Sequence, residues 1–254
     1  MPKVFIHGNP ETTAIWDDLV AELALRGVTD VVRLSPPGFG APVPAGFGAT
    51  AEEYRHWLVG ALEDLDDPID VVAHDWGAGH LFGALSLRPD VVRSWAADCA
   101  GLLHPAYEWH DAAVAWQTPE VGEQVVAAMA AMGPDLLAPG LVAGGMTEAA
   151  AAASAEAFND DMGRCVLTLY RSAAQPAMVD LGAALMAHPP TGGLVIVAPE
   201  DTYAGDTSLM LEVAERLGAR TVELADCGHW WMMQRPDLAA DALVAHWQAV
   251  TSGS

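Results

Sequence analysis

Asp75 stands in the stretch Ala73-His74-Asp75-Trp76-Gly77-Ala78, between an apolar run, Ile69 to Ala73, and a helical pattern, Gly77 to Leu87. A strand that becomes a helix within two or three residues needs small neighbours, which Ala73, Gly77 and Ala78 supply. Such a turn holds its central side chain up at the carboxyl end of the strand. A carboxylate placed there can attack carbon and form an ester to the protein. Other loops carry the groups this chemistry needs. Cys227-Gly228-His229-Trp230-Trp231 follows the run Thr221 to Leu224 and offers His229 as a general base. Pro199-Glu200-Asp201-Thr202-Tyr203 follows Leu194 to Ala198 and offers Asp201 to hold that imidazole in one tautomer and stabilise its cation. Glu200 takes that place if the loop is one residue out of register, and Asp98, at the end of another strand, is the rival. In His7-Gly8-Asn9-Pro10, the residue after the His-Gly turn can aim its backbone N–H at an oxyanion, with the N–H of Trp76 as the second donor.

These groups need a frame. Short apolar strands at Lys3 to Ile6, Val31 to Leu34, Ile69 to Ala73, Val92 to Ala97, Leu194 to Ala198 and Thr221 to Leu224 alternate with helical patterns. The helices are expected at Ala14 to Arg26, Ala51 to Leu65, Gly77 to Leu87, Ser208 to Leu217 and Leu238 to Ala249, the last opened by Pro236 and Asp237. Alternation of this kind predicts an α/β fold with a mainly parallel sheet covered on both faces. Every motif named above then lies at the carboxyl end of a strand, where such sheets bind ligands. From about Leu103 to Val179 the strands stop and helical patterns continue, so residues 1–103 and 180–254 are read as the core and 104–179 as a helical cap. Gly133, Pro134, Pro139, Gly140, Gly144 and Gly145 divide that cap into short pieces.

The chain has 254 residues, enough for one domain with a sizeable core. Eleven basic residues face 34 acidic ones, a net charge of -23 that repels phosphate backbones and anionic membranes. No nucleic-acid or membrane partner is expected. Three widely spaced cysteines, Cys99, Cys165 and Cys227, argue against a disulfide framework and for a reducing compartment. Met1 leads directly to strand-like Val4-Phe5-Ile6 without a leader pattern, and no apolar run reaches the ~18 to 20 residues of a membrane span. These features predict a cytoplasmic protein. No cofactor and no metal is expected: His104, Glu108, His110 and Asp111 lack a second cluster to complete a metal site.

The order Asp75, Asp201, His229 is that of nucleophile, acid and base in α/β-hydrolases. Together with the His-Gly turn and the helical insertion, the chain over its whole length resembles the α/β-hydrolase group that contains epoxide hydrolases and haloalkane dehalogenases. The resemblance implies an α/β-hydrolase fold of about six strands. The usual amino-terminal hairpin is missing, because only six residues precede His7, which puts Val31 to Leu34 near an edge. An exposed edge must be covered or paired, and leaves room for a homodimer. The resemblance also implies that Asp75 displaces a leaving group from carbon and that His229 then activates water against the ester. Leu167-Thr168-Leu169-Tyr170-Arg171-Ser172 resembles the Tyr-Arg cap motif of epoxide hydrolases, whose tyrosine polarises the ring oxygen, and Tyr107 is the candidate for a second phenol. Asn9 and Trp76 are the side-chain pair that haloalkane dehalogenases direct at halide. Trp109 and Trp230 are expected as pocket walls for a small hydrophobic substrate. Epoxide hydrolysis to a diol is the preferred reading, haloalkane dehalogenation the alternative, and a non-catalytic ligand-binding relative the second alternative.

Overall fold

The six apolar runs form one parallel sheet. The computed structural model describes residues 1–65 and 68–253. Its strands are β1 (Lys3–Ile6), β2 (Val31–Leu34), β3 (Asp70–Ala73), β4 (Ser94–Ala97), β5 (Gly193–Val197) and β6 (Arg220–Glu223). Their order is β2-β1-β3-β4-β5-β6, with every neighbouring pair parallel. The four central strands are buried on both faces, and their side chains alternate between two cores. Val4, Ile6, Val71, Ala73, Trp95, Ala97, Val195 and Val197 enter one core; Phe5, Val72, Ala96, Leu194 and Ile196 enter the other. The expected edge is present: β2 is half-buried at one end of the sheet, and β6 is largely exposed at the other.

The helices are α1 (Asp17–Leu25), α2 (Ala51–Glu63), α3 (Trp76–Leu87), α4 (Asp111–Gln117), α5 (Val121–Met132), α6 (Pro134–Ala143), α7 (Glu148–Ala157), α8 (Asp160–Ser172), α9 (Ala177–Ala187), α10 (Thr207–Arg216), α11 (Trp231–Gln234) and α12 (Pro236–Ser252). The first expected helix is two pieces: a 3-10 turn at Thr13–Trp16, capped by Thr12, precedes α1. Thr50 and Glu53 close a capping box at the start of α2, satisfying backbone donors that the first turn leaves unpaired. Helices α1 and α12 pack together on one face of the sheet, while α2, α3 and α9 pack in succession on the other. Helices α4 to α9 occupy the chain between β4 and β5. The expected boundary at 179/180 falls inside α9, which packs on α3. Among the described residues no single helix is long and apolar enough to cross a membrane; α5 and α6 meet that length and composition only as a pair bent by 108°.

Candidate active site

Asp75 is the hinge between β3 and α3, at φ 52° and ψ -123°. A non-glycine residue in that region is strained and persists only where its surroundings hold it. Here its N–H donates to Asp98 Oδ1 at 3.0 Å, and its carbonyl accepts from the N–H groups of Ala78 and Gly79 at 3.0 and 3.2 Å. The small residues of the motif have a physical cause. A Cβ on Gly77 would lie 2.4 Å from the Ile6 carbonyl oxygen, because the start of α3 presses on the end of β1. Gly77→Ala is therefore expected to lower stability by about 1–3 kcal/mol through overpacking, read as a fall in the denaturant midpoint at unchanged slope.

The turn after β1 closes on the same carboxylate: the Asn9 N–H donates to Asp75 Oδ1 at 2.9 Å. Gly8 permits this approach, since a Cβ there would lie 2.1 Å from that oxygen. From the loop after β6, His229 Nε2 lies 3.8 Å from Asp75 Oδ2, while its Nδ1 is 2.8 Å from Asp201 Oδ2. Asp201 Oδ1 accepts from the N–H groups of Tyr203 and Ala204 at 2.7 and 3.1 Å, which fixes the carboxylate. The rivals are elsewhere. Glu200 is exposed, and Asp98 pairs with His74. Sheet register explains the second: Ala73 lies beside Ala97, so the residues that follow them, His74 and Asp98, emerge side by side.

Burial pushes the Asp75 carboxyl up to about 6, and Glu11 adds to the rise, while His229 and His74 pull it down. It remains mostly a carboxylate at neutral pH. Burial alone would lower the His229 imidazole, but Asp201 outweighs it and holds the ring above its ordinary value. Burial would raise Asp201, yet His229 and the two backbone donors keep it below the usual range.

Two adjoining cavities, about 20 and 170 Å³, open onto Asp75 and share His110, Tyr170 and Tyr203 as walls. The other walls are mostly apolar or aromatic, including Trp109 in the smaller and Trp116, Met129, Leu141 and Trp230 in the larger. Tyr170 on α8 is buried with its ring edge-on to Trp76 at 5.2 Å. The Asn9 side chain makes no hydrogen bond of standard geometry. It shares the larger cavity with Tyr170. Burial and Asp75 push that phenol well above its ordinary pKa, and Asn9 and Trp76 pull against them. The Tyr107 hydroxyl donates to the Tyr203 carbonyl at 2.9 Å, so its proton is committed there. Trp230 lines the cavity with its ring while its indole N–H donates to Glu11 at 2.6 Å.

His110 and Tyr203 escape the sequence reading as wall residues. His110 caps α4: its Nδ1 accepts the Ala113 N–H at 3.2 Å, which puts the ring's proton on Nε2. Burial, then His229, lower this imidazole to about 4, so it is a neutral donor. The usable signal was its place immediately before the helix that starts at Asp111. Among the described residues, two groups bring potential metal ligands within 4.8 Å of one another: Glu11, His74 and His229, and Cys99, Asp201 and His229. In both, carboxylate and imidazole already pair with each other, at 3.1 and 2.8 Å.

Solved structures share this architecture. A haloalkane dehalogenase, DbeA, from Bradyrhizobium elkani USDA94 is 23% identical, with a TM-score of 0.75 over 99% of this chain and 91% of that one. Cfl2 from Burkholderia cenocepacia is 18% identical, with a TM-score of 0.78 over 96% and 87%. A thermophilic esterase from Thermogutta terrifontis is 20% identical, with a TM-score of 0.70 over 98% and 90%. At these identities the likeness is one of fold. No curated protein matches the sequence. The sequence matches the model described as "Alpha/beta hydrolase family" over residues 4–242; with its parallel sheet and strand-end loops in place, the chain belongs to the alpha/beta hydrolase family and is a hydrolase of that fold.

Proposed function

We propose that this hydrolase opens small hydrophobic epoxides to diols through an ester on Asp75. A single observation carries the choice: Tyr170 lines both cavities that open onto Asp75. Burial and Asp75 keep this phenol protonated, so it has a proton to give to a strong base formed beside it. An alkoxide needs that acid, whereas a halide needs only the donors.

One Asp75 oxygen attacks a ring carbon, the C–O bond of the epoxide breaks, and the nascent alkoxide takes the Tyr170 proton. The product of this step is a hydroxyalkyl ester and a phenolate. The neutral Nε2–H of His110, on the same cavity wall, is the second donor to that oxygen, in the role the sequence reading gave to Tyr107. Water then attacks the ester carbonyl as His229 removes its proton, with Asp201 balancing the imidazolium. The N–H groups of Asn9 and Trp76 receive the oxyanion. Collapse breaks the ester C–O bond and returns the Asp75 carboxylate; of the two protons of the water, one goes to the leaving alkoxide to complete the diol and the other restores Tyr170. Helices α4 to α8 act as a cap that supplies His110 and Tyr170.

A second reading, haloalkane dehalogenation, draws on Asn9 and Trp76 as an N–H pair for halide and on the fold likeness to dehalogenases. One pair of variants separates the two. Tyr170→Phe is expected to slow diol formation from epoxides by about 10²- to 10³-fold, within the range for a general acid, and to leave any halide release within a few-fold. Halide release from chloro- or bromoalkanes that survives Tyr170→Phe and is lost in Asn9→Ala would select the second reading. Binding of either substrate class without turnover would leave a ligand-binding relative.

A further inference from the structure

Directly beneath Asp75 lies a set of charges that the reaction above leaves unused. Glu11, His74 and Asp98 are each 0–2% exposed. His74 Nε2 lies 3.1 Å from Glu11 Oε1, and its Nδ1 contacts Asp98 Oδ2. Both ring nitrogens thus face carboxylate oxygens, the arrangement that suits an imidazolium, whose two N–H groups both donate. Burial alone would strip the second proton, but Asp98 and then Glu11 hold the ring well above its ordinary pKa.

The outer oxygens of this triad reach the loops of the active site. Glu11 Oε2 accepts the Gly8 N–H at 2.8 Å, in the turn that aims Asn9 at Asp75. Asp98 Oδ1 accepts the N–H of Asp75 itself at 3.0 Å. The two residues after His229 are tied in as well: the Trp230 indole donates to Glu11 at 2.6 Å and the Trp231 indole to Asp98 at 2.7 Å.

We propose that Glu11, His74 and Asp98 form a buried charged strap whose three members are positioning residues for the reaction. The strap fixes the β1 turn, the elbow and the His229 loop against one another, and its central cation offsets the carboxylates gathered around the nucleophile. This rests on the reading of Asp75 as the nucleophile. An apolar triad of the same volume would pack as well, since buried ion pairs are poor sources of stability, but it would supply neither the four outward hydrogen bonds nor a fixed positive charge. The charge matters because Asp75, Glu11, Asp98 and Asp201 converge here, and His74 and His229 are the imidazoles that face them. The groups around His74 are Glu11 and His7 from the β1 loop, Asp75 from its own loop, Asp98 after β4 and His229 after β6, whose ring centre is 4.5 Å from that of His74. Trp16 and Trp231 present ring edges to it.

The test follows ester formation on Asp75 by intact mass in single turnovers with a small apolar epoxide, across pH. Attack needs the carboxylate, so the rate rises with pH through the Asp75 midpoint. His74→Gln removes a cation that stabilises this carboxylate, and its midpoint should move up by about one pH unit. Glu11→Gln removes a repelling anion, and the midpoint should move down. In both, the rate at the plateau should fall at least tenfold while the substrate concentration giving half-maximal rate changes little, since neither residue lines the cavity. Shifts of opposite sign support the strap; unshifted profiles, or losses of rate alone, overturn it. Should either variant fail to fold, the other decides. A measurement on the unaltered protein stands beside them: ¹⁵N-resolved NMR should show His74 with both ring N–H protons at pH 8, and a single ring proton would sink the proposal. A protein that forms no ester at any pH would instead refute Asp75 as nucleophile while leaving the His74 measurement to stand.

Discussion

His229→Gln should halt turnover and leave the hydrolase loaded with an ester on Asp75. In the proposed reaction the first half uses Asp75 and the leaving-group donors, none of which the substitution touches. The second half loses the base that lies 3.8 Å from Asp75 and is oriented by Asp201 at 2.8 Å. Removing a general base costs about 10²- to 10⁴-fold, so the ester outlives mixing and accumulates to one equivalent per chain. Its mass identifies the leaving group by atom balance. Ring opening adds the whole epoxide, whereas displacement of a halide adds the haloalkane less one hydrogen halide. Intact-mass measurement and peptide mapping to Asp75 check both points, and an unmodified protein with undiminished turnover would remove His229 from the mechanism.

Asp75→Asn should abolish the chemistry outright. The amide is isosteric and its oxygen can still accept the Asn9 N–H, so fold and binding are retained while the attacking charge is lost. Loss of a covalent nucleophile is expected to lower turnover by about 10⁴-fold or more, equivalent to about 5 kcal/mol of barrier at 1.36 kcal/mol per tenfold. Comparing initial rates, with substrate binding followed separately, checks it. In water labelled with ¹⁸O, the unaltered protein should place label in the Asp75 carboxyl during a single turnover, because water attacks the ester carbonyl and not the alkyl carbon.

The frame was legible because its signals are local. Four strands are buried on both faces, so their largely apolar runs stand out, and α2 carries its own cap in Thr50 and Glu53. The start of α1 was not, because Thr12 caps a 3-10 turn first. The order of Asp75, Asp201 and His229 was read from loops that each follow a strand. Asp201 was preferred over Asp98 from the loops alone, but what occupies Asp98 needed register, since the pairing of Ala73 with Ala97 is what brings Asp98 to His74. Glu11 left no mark: an acidic residue two positions past Asn9 reads as solvated until the loops fold over it. His110 and Tyr203 meet Tyr170 across separate segments, a proximity that no spacing encodes.

The walls of the larger cavity differ in what holds them. Asn9, Asp75, His229 and Trp230 belong to loops tied to buried charges, whereas Met129 and Leu141 come from α5 and α6, where Gly122 is the one buried residue of α5 and α6 has none. Drift in sequence is therefore cheap on one side of the substrate and dear on the other. A lineage of such hydrolases can acquire new substrate ranges by rewriting α5 and α6 while its reaction stays fixed. The same asymmetry tells a protein engineer where a randomised library will retain active members.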